Sequence, residues 1–145
     1  MSSREAATIS LRYATVRRQG ELGPDGLERQ IISYPSVHQR LLPILSRAYV
    51  FIQLGRKLVK PSSHRTIAAH IYPQRETFQT MTTRLASGDV SWLGDIHAIT
   101  SGLKVLVTTT GVQDLETARR SMGGHGYSAF AGLGRLYADY LPSVT

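Results

Sequence analysis

Between residues 91 and 122 the apolar side chains Trp92, Ile96, Ile99, Leu103 and Leu106 recur at steps of four, three, four and three. That spacing places one apolar stripe along an α-helix, the pattern of a seam packed against neighbouring helices. A helix built this way needs partners, and three other segments supply candidates. Residues 3–18 carry Ala6, Ile9, Tyr13 and Val16 on one stripe, with Arg17 and Arg18 in the last turn, where cations complement the helix dipole. Ser36 follows Pro35 and precedes Gln39, an S-x-x-Q capping box that starts a second helix with Pro43 near its first turns. Leu41, Leu45, Ala48, Ile52 and Val59 form its apolar face, which Leu42, Tyr49 and Phe51 widen until the helix is apolar nearly all round. It is expected to end near Lys60, before Pro61. A third helix is predicted over residues 66–87, with Ile67, Ile71, Phe78, Met81 and Leu85 inward, a kink or late start at Pro73, and Gly88 as a left-handed cap. The stretch QGELGPDGLER, residues 19–29, interrupts the pattern with three glycines and a proline and reads as a loop. No strand of alternating character and no internal repeat is visible. The predicted fold is therefore all-α, an antiparallel bundle of about four helices forming one domain over residues 1–145.

With 145 residues and 41% apolar content the chain is long enough to bury a core. It has no cysteine, which removes disulfides, thiolate nucleophiles and zinc–cysteine sites. No stretch approaches the roughly 20 apolar residues of a membrane span, and MSSREAATISLRY has no apolar core of a signal peptide. Charge is uneven: residues 1–75 hold 12 Lys and Arg against 4 Asp and Glu, residues 76–145 hold 5 against 6. A basic half suits a polyanionic partner, whether nucleic acid, an anionic membrane or a phosphorylated cofactor, and is equally the mark of a solvated surface. Nucleic acid is not expected, because Arg29, Arg40, Arg47, Arg56, Arg65 and Arg75 stand singly with no aromatic-interleaved strand.

His38, His64, His70, His97 and His125 lie on different segments without an HExxH or i,i+4 pair, so no metal site is expected. There is no GxSxG elbow, and Asp89, Asp95, Asp114, Glu116 and Asp139 place no two carboxylates on one buried face. No catalytic residue is assigned within the chain. Two features remain. Arg17-Arg18-Gln19 ends the first helix, and GGHGY, residues 123–127, ends the fourth. A glycine run is either a bend that caps the preceding helix or a surface where a ligand approaches the backbone; it is not a GxxxxGK[ST] phosphate loop. Two guanidinium forks and freed backbone N–H groups both suit a pyrophosphate. In an antiparallel bundle the two features can lie at opposite poles of one subunit and converge across a dimer.

LRYATVRRQ (11–19), QIISYPSVHQRLLPILSRAYVF (30–51), DIHAITSGLK (95–104) and GGHGYSAFAGLGRLYADYLPSVT (123–145) resemble successive blocks of the peroxisomal acyl-CoA oxidases, in the family's order and with matching spacers. The resemblance implies the first C-terminal helical domain of an FAD enzyme that desaturates fatty acyl-CoA to the trans-2-enoyl thioester in fatty-acid β-oxidation. Dioxygen reoxidises the flavin and leaves as hydrogen peroxide. It implies that Arg17 and Gln19 touch the FAD of the adjoining subunit of a homodimer, and that Gly123, Gly124, His125 and Gly126 meet its adenosine and pyrophosphate part. It also implies a peroxisomal location, although the chain ends in SVT rather than an SKL-like tripeptide. The related acyl-CoA dehydrogenases usually place an aromatic and a glycine soon after the arginine, where this chain has the long insert beginning at Gly20. They also tend to carry glutamine where this chain has Arg120. A dehydrogenase-like flavoprotein and a non-catalytic helical interaction module derived from the same fold are the competing readings.

In the family the general-base glutamate follows shortly after the segment corresponding to LPSVT, in a YEGDN-like block, and a β-domain and a second helical domain complete the enzyme. The chain is thus expected to be a fragment, a truncated gene model or a degenerate copy. The purified 145-residue protein is expected to produce no peroxide from palmitoyl-CoA in an oxygen-coupled assay. It is expected to bind FAD more weakly than about 1 μM, because most of the isoalloxazine pocket belongs elsewhere; submicromolar affinity by titration contradicts this.

Overall fold

The computed structural model describes residues 2–59, 83–91 and 93–144. Its elements in chain order are α1 (Ser2–Val16), a short antiparallel hairpin of β1 (Arg18–Leu22) and β2 (Glu28–Gln30), α2 (Pro35–Val59), α3 (Leu93–Ser121) and α4 (Leu133–Tyr140), with single 3-10 turns between and after them. The all-helical expectation holds apart from this hairpin. The chain divides into two compact units, residues 1–50 with 107–145, and residues 51–106.

In the first unit the core gathers Ala6, Ala7, Ala14, Leu41, Ile44, Ala48, Leu115, Ala118, Met122 and Leu133. The predicted stripe of α1 holds in part: Ala6 is buried, Ile9 and Tyr13 are half-buried against the core, and Val16 is 79% exposed. The fully buried residues are Ala6 together with Ser3, Ala7, Ser10 and Ala14. These residues share one helical face, and their small side chains let the backbone of α1 come close to its neighbours. The burial of Ser10 leaves no polar group stranded, since its Oγ donates to the carbonyl of Ala6 at 2.6 Å.

Residues 19–29, expected as a loop, form most of the hairpin. All of its strand residues but the half-buried Arg18 are exposed, so no alternation of polar and apolar side chains marks it in the sequence. Turn chemistry makes it: Gly23 N–H donates to the carbonyl of Leu27 at 2.7 Å, and the Asp25 carboxylate accepts from the Leu27 amide at 3.2 Å. The returning strand then closes the end of α1. Ile31 N–H donates to the Arg17 carbonyl at 2.9 Å, and the Gln30 side-chain amide donates to the Thr15 carbonyl at 2.7 Å. These are carbonyls that a helix C-terminus otherwise leaves without partners.

Helix α2 starts at Pro35, not behind a Ser36 cap. The Tyr34 carbonyl accepts from the amides of Val37 at 3.0 Å and His38 at 3.2 Å, which makes Pro35 the first helical residue. Proline is suited to that position, where it has no N–H to leave unpaired. Leu42, Tyr49 and Val50 on this helix are exposed.

Helix α3 buries Gly111, Asp114, Leu115 and Ala118 in its C-terminal half, and Met122 just after it is buried as well. The predicted seam lies in the N-terminal half, in the second unit, where Ile99 and Leu106 are exposed and Leu103 is half-buried. A glycine and a carboxylate interrupt the true buried stripe, so apolar spacing does not find it. In the second unit residues 83–86 form a helical turn and Gly88 takes the left-handed conformation (φ +82°), as expected of a helix cap. Leu85, expected inward, is 46% exposed. The Ser91 amide and hydroxyl, and then Arg84, hold the exposed Asp89 carboxyl below its ordinary range. The rest of the third predicted helix, together with Trp92, lies outside the described residues.

Asp114 is completely buried and joins α2 to α3: Arg47 Nε donates to its Oδ1 at 2.9 Å, and Arg47 Nη2 donates to the same oxygen. Among the described residues its other oxygen has no hydrogen-bond partner. Removing one member of a buried pair leaves the other charge uncompensated; here Arg47 is 40% exposed and can turn to water. Asp114→Ala is therefore expected to cost about 2 kcal/mol, read as a lower urea midpoint; an unchanged midpoint contradicts a structural role for the pair.

Candidate functional site

The glycine segment begins where α3 ends. Met122 leaves the helix, Gly123 takes a left-handed conformation (φ +59°), and residues 123–127 form a 3-10 turn. A second glycine is required for a different reason. A β-carbon at position 126 would overlap the carbonyl oxygen of Arg119 and lie 2.6 Å from its carbonyl carbon. Gly126 is buried, and only the lack of a side chain lets the segment fold back onto the last turn of α3. Gly124 has no such explanation. It is exposed, and a β-carbon there would have nothing within 4 Å. The loop thus caps the helix, as one reading of its sequence held, and also leaves one stretch of small, exposed backbone.

Arg119 anchors the same turn. Its guanidinium lies 4.8 Å from the ring centroids of both Tyr127 and Tyr137 and pairs with Glu116 at 2.6 Å. Two aromatic faces and a carboxylate hold this half-buried cation in place, so it belongs to the scaffold.

One contact joins the first helix to the glycine segment within one chain. Tyr13 Oη lies 3.1 Å from His125 Nδ1, with ring centroids 5.3 Å apart and planes tilted by 42°. The packing of α1 against α4 brings α1 within reach of the loop. Arg17 follows Tyr13 by four residues, and its amide donates to the Tyr13 carbonyl at 2.8 Å. Arg17 is thus the residue that follows α1, about one helical turn along the chain from Tyr13. Sequence reasoning placed Tyr13 in the core; its spacing from Arg17 was the available signal.

The two neighbouring arginines differ in their use. Arg18 Nη1 donates to the Glu28 carbonyl at 2.9 Å and lies 3.8 Å from Asp25, so the hairpin occupies it. This corrects the expectation of two forks offered to a ligand. Arg17 is exposed, and its guanidinium has no partner among the described residues. Gln19 is exposed as well; its carbonyl accepts from Tyr34 Oη at 3.0 Å, which fixes the backbone and leaves the side-chain amide outward. Arg17, Gln19, Gly123, Gly124 and His125 are thus all exposed, and Gly126 is the buried member of the set.

Among the described residues no three His, Asp or Glu side chains could share a metal ion, and no helix is long and apolar enough to cross a membrane. His38 bonds the Ile32 carbonyl, His97 is exposed, and His64 and His70 lie outside the described residues.

Residues 1–145 match the family described as "Acyl-CoA oxidase, C-alpha1 domain". The chain belongs to this family. It is 34% identical over 141 residues to peroxisomal acyl-coenzyme A oxidase 1 of Mus musculus, an alignment covering 97% of this chain and 19% of the relative. Among solved structures, the acyl-CoA oxidase LeACX1 of tomato superposes with a TM-score of 0.79 at 35% identity, over 99% of this chain and 20% of that one. Acyl-CoA oxidase-1 of Caenorhabditis elegans, complexed with FAD and ATP, does so with a TM-score of 0.79 at 31% identity, over 99% of this chain and 19% of that one. The chain thus spans about a fifth of the length of the relatives it matches.

The packing separates the glycines by experiment. Gly126→Ala is expected to cost about 2 kcal/mol or more through overpacking, and Gly124→Ala to change stability by less than about 0.5 kcal/mol. Thermal melts of both variants check this; equal melting temperatures contradict the close approach of the loop to α3.

Proposed function

We propose that this chain is the first C-terminal helical domain of a peroxisomal, FAD-dependent acyl-CoA oxidase, and that its part in the enzyme is to hold the diphosphate and adenosine end of the flavin. What carries the reading is that Arg17, an exposed cation without a partner among the described residues, stands about one turn along the chain from the contact that ties α1 to the loop bearing the open Gly124 backbone. A diphosphate fits such a pair. The guanidinium fork neutralises its charge and bonds two oxygens at once, and exposed backbone amides without a neighbouring side chain let phosphate oxygens approach. Gln19 offers a neutral donor beside them.

When bound, FAD accepts the hydride from the β-carbon of a fatty acyl-CoA, and dioxygen takes the electrons to give hydrogen peroxide. The residues of this chain do the holding. Gly123 and Gly126 shape the turn, and His125 and Gly124 present it. Arg17 and Gln19 supply the charge and orientation, with the flavin contributed from the adjoining subunit of a homodimer. No residue of this chain is assigned the abstraction of the substrate's α-proton.

The test uses the whole oxidase that carries this segment. Arg17→Glu replaces an attraction with a repulsion and is expected to weaken FAD retention more than about tenfold, seen as loss of the flavin absorbance per protein after gel filtration. The melting temperature of the apoprotein is expected to stay unchanged. Gly124→Ala is expected to act in the same direction. Full flavin content in both variants contradicts the reading.

A further inference from the structure

We infer that Tyr13 is a positioning residue for the same site, fixing the imidazole of His125 so that its Nε2–H faces the ligand as a hydrogen-bond donor; this rests on the assignment of the loop to a diphosphate-bearing ligand. A phenol hydroxyl carries one proton that needs an acceptor. Among the described residues the acceptor available to Tyr13 is His125 Nδ1, at 3.1 Å. A neutral imidazole whose Nδ1 accepts must carry its proton on Nε2, since the tautomer is set by the bond the other nitrogen makes. The ring is therefore held at one end by α1 and exposes a donor at the other. His125 is exposed, and the backbone beside it at Gly124 is open. The rings are tilted at 42° with centroids 5.3 Å apart, so the contact is a hydrogen bond rather than a stack, and it fixes direction.

The arrangement also explains why a histidine is compatible with a turn otherwise made of glycines and a tyrosine. Its side chain needs no support from the loop, because α1 provides it. The same bond ties the loop to the helix whose next turn bears Arg17, so one contact sets the orientation of the donor and the spacing between cation and loop.

The test is nitrogen-15 NMR of the imidazole in the 145-residue chain, at a pH alkaline enough for imidazoles to be neutral, with ADP as the probe for the diphosphate and adenosine chemistry. The wild type is expected to show His125 protonated at Nε2, with Nδ1 at the shift of a hydrogen-bonded acceptor. Tyr13→Phe is expected to move Nδ1 to its unbonded value and to weaken ADP binding about fivefold. Added ADP is expected to shift both His125 Nε2–H and the Gly124 amide. Protonation at Nδ1 in the wild type, or an Nδ1 resonance indifferent to Tyr13→Phe, overturns the inference without needing the variant to bind anything. A shift at Gly124 without one at His125 Nε2 overturns it while leaving the diphosphate reading intact. No shift at either overturns both.

Discussion

The site depends on the closeness of one backbone contact. At Gly126 the chain turns back onto the carbonyl of Arg119 so tightly that no side chain fits between them. That return path seats His125 against Tyr13 rather than letting the segment run on into solvent. The rest follows from rigid elements. Helix α1 is held by its small-residue face and by the hairpin that closes its last carbonyls. Arg119 is fixed between two tyrosine rings, and the core leucines of α2, α3 and α4 pack in the same cluster. A binding constellation on a turn is only as well placed as the helices on either side of it. Here both sides are fixed.

Sequence patterns reach some of this and miss the rest for identifiable reasons. Helix content was legible because apolar periodicity marks elements and Gly88 marks an end directly, whereas the start of α2 at Pro35 was read late, behind a Ser36 cap. Which face is buried was not, because α1 buries serines and alanines and α3 buries a glycine and an aspartate. Apolar spacing pointed instead to larger residues that the structure leaves exposed, such as Val16 and Leu106. The hairpin was hidden because nearly all of its strand residues face water, so pairing leaves no alternation. The residues proposed to hold the cofactor were picked out by type, as arginine beside glutamine and glycines around a histidine. The contact between Tyr13 and His125 was not legible, since it joins residues 112 positions apart.

The glycine-rich segment divides its labour in a way that composition cannot reveal. Gly123 and Gly126 answer to the fold, one through backbone conformation and the other through contact, whereas Gly124 answers to nothing among the described residues. The same division separates Arg18, occupied by the hairpin, from Arg17, which is free of partners among the described residues. Groups that an isolated domain leaves unused, on a chain belonging to the acyl-CoA oxidase family, are the ones a cofactor would be expected to complete.

The most direct measurement is a crystal structure of the FAD-loaded oxidase that carries this segment. The account requires the Arg17 guanidinium and the Gly124 amide of one chain to lie within hydrogen-bond distance of the same diphosphate, with the Tyr13–His125 contact intact. A flavin whose diphosphate touches neither group, or Arg17 and Gly124 of one chain serving two different flavins, contradicts it.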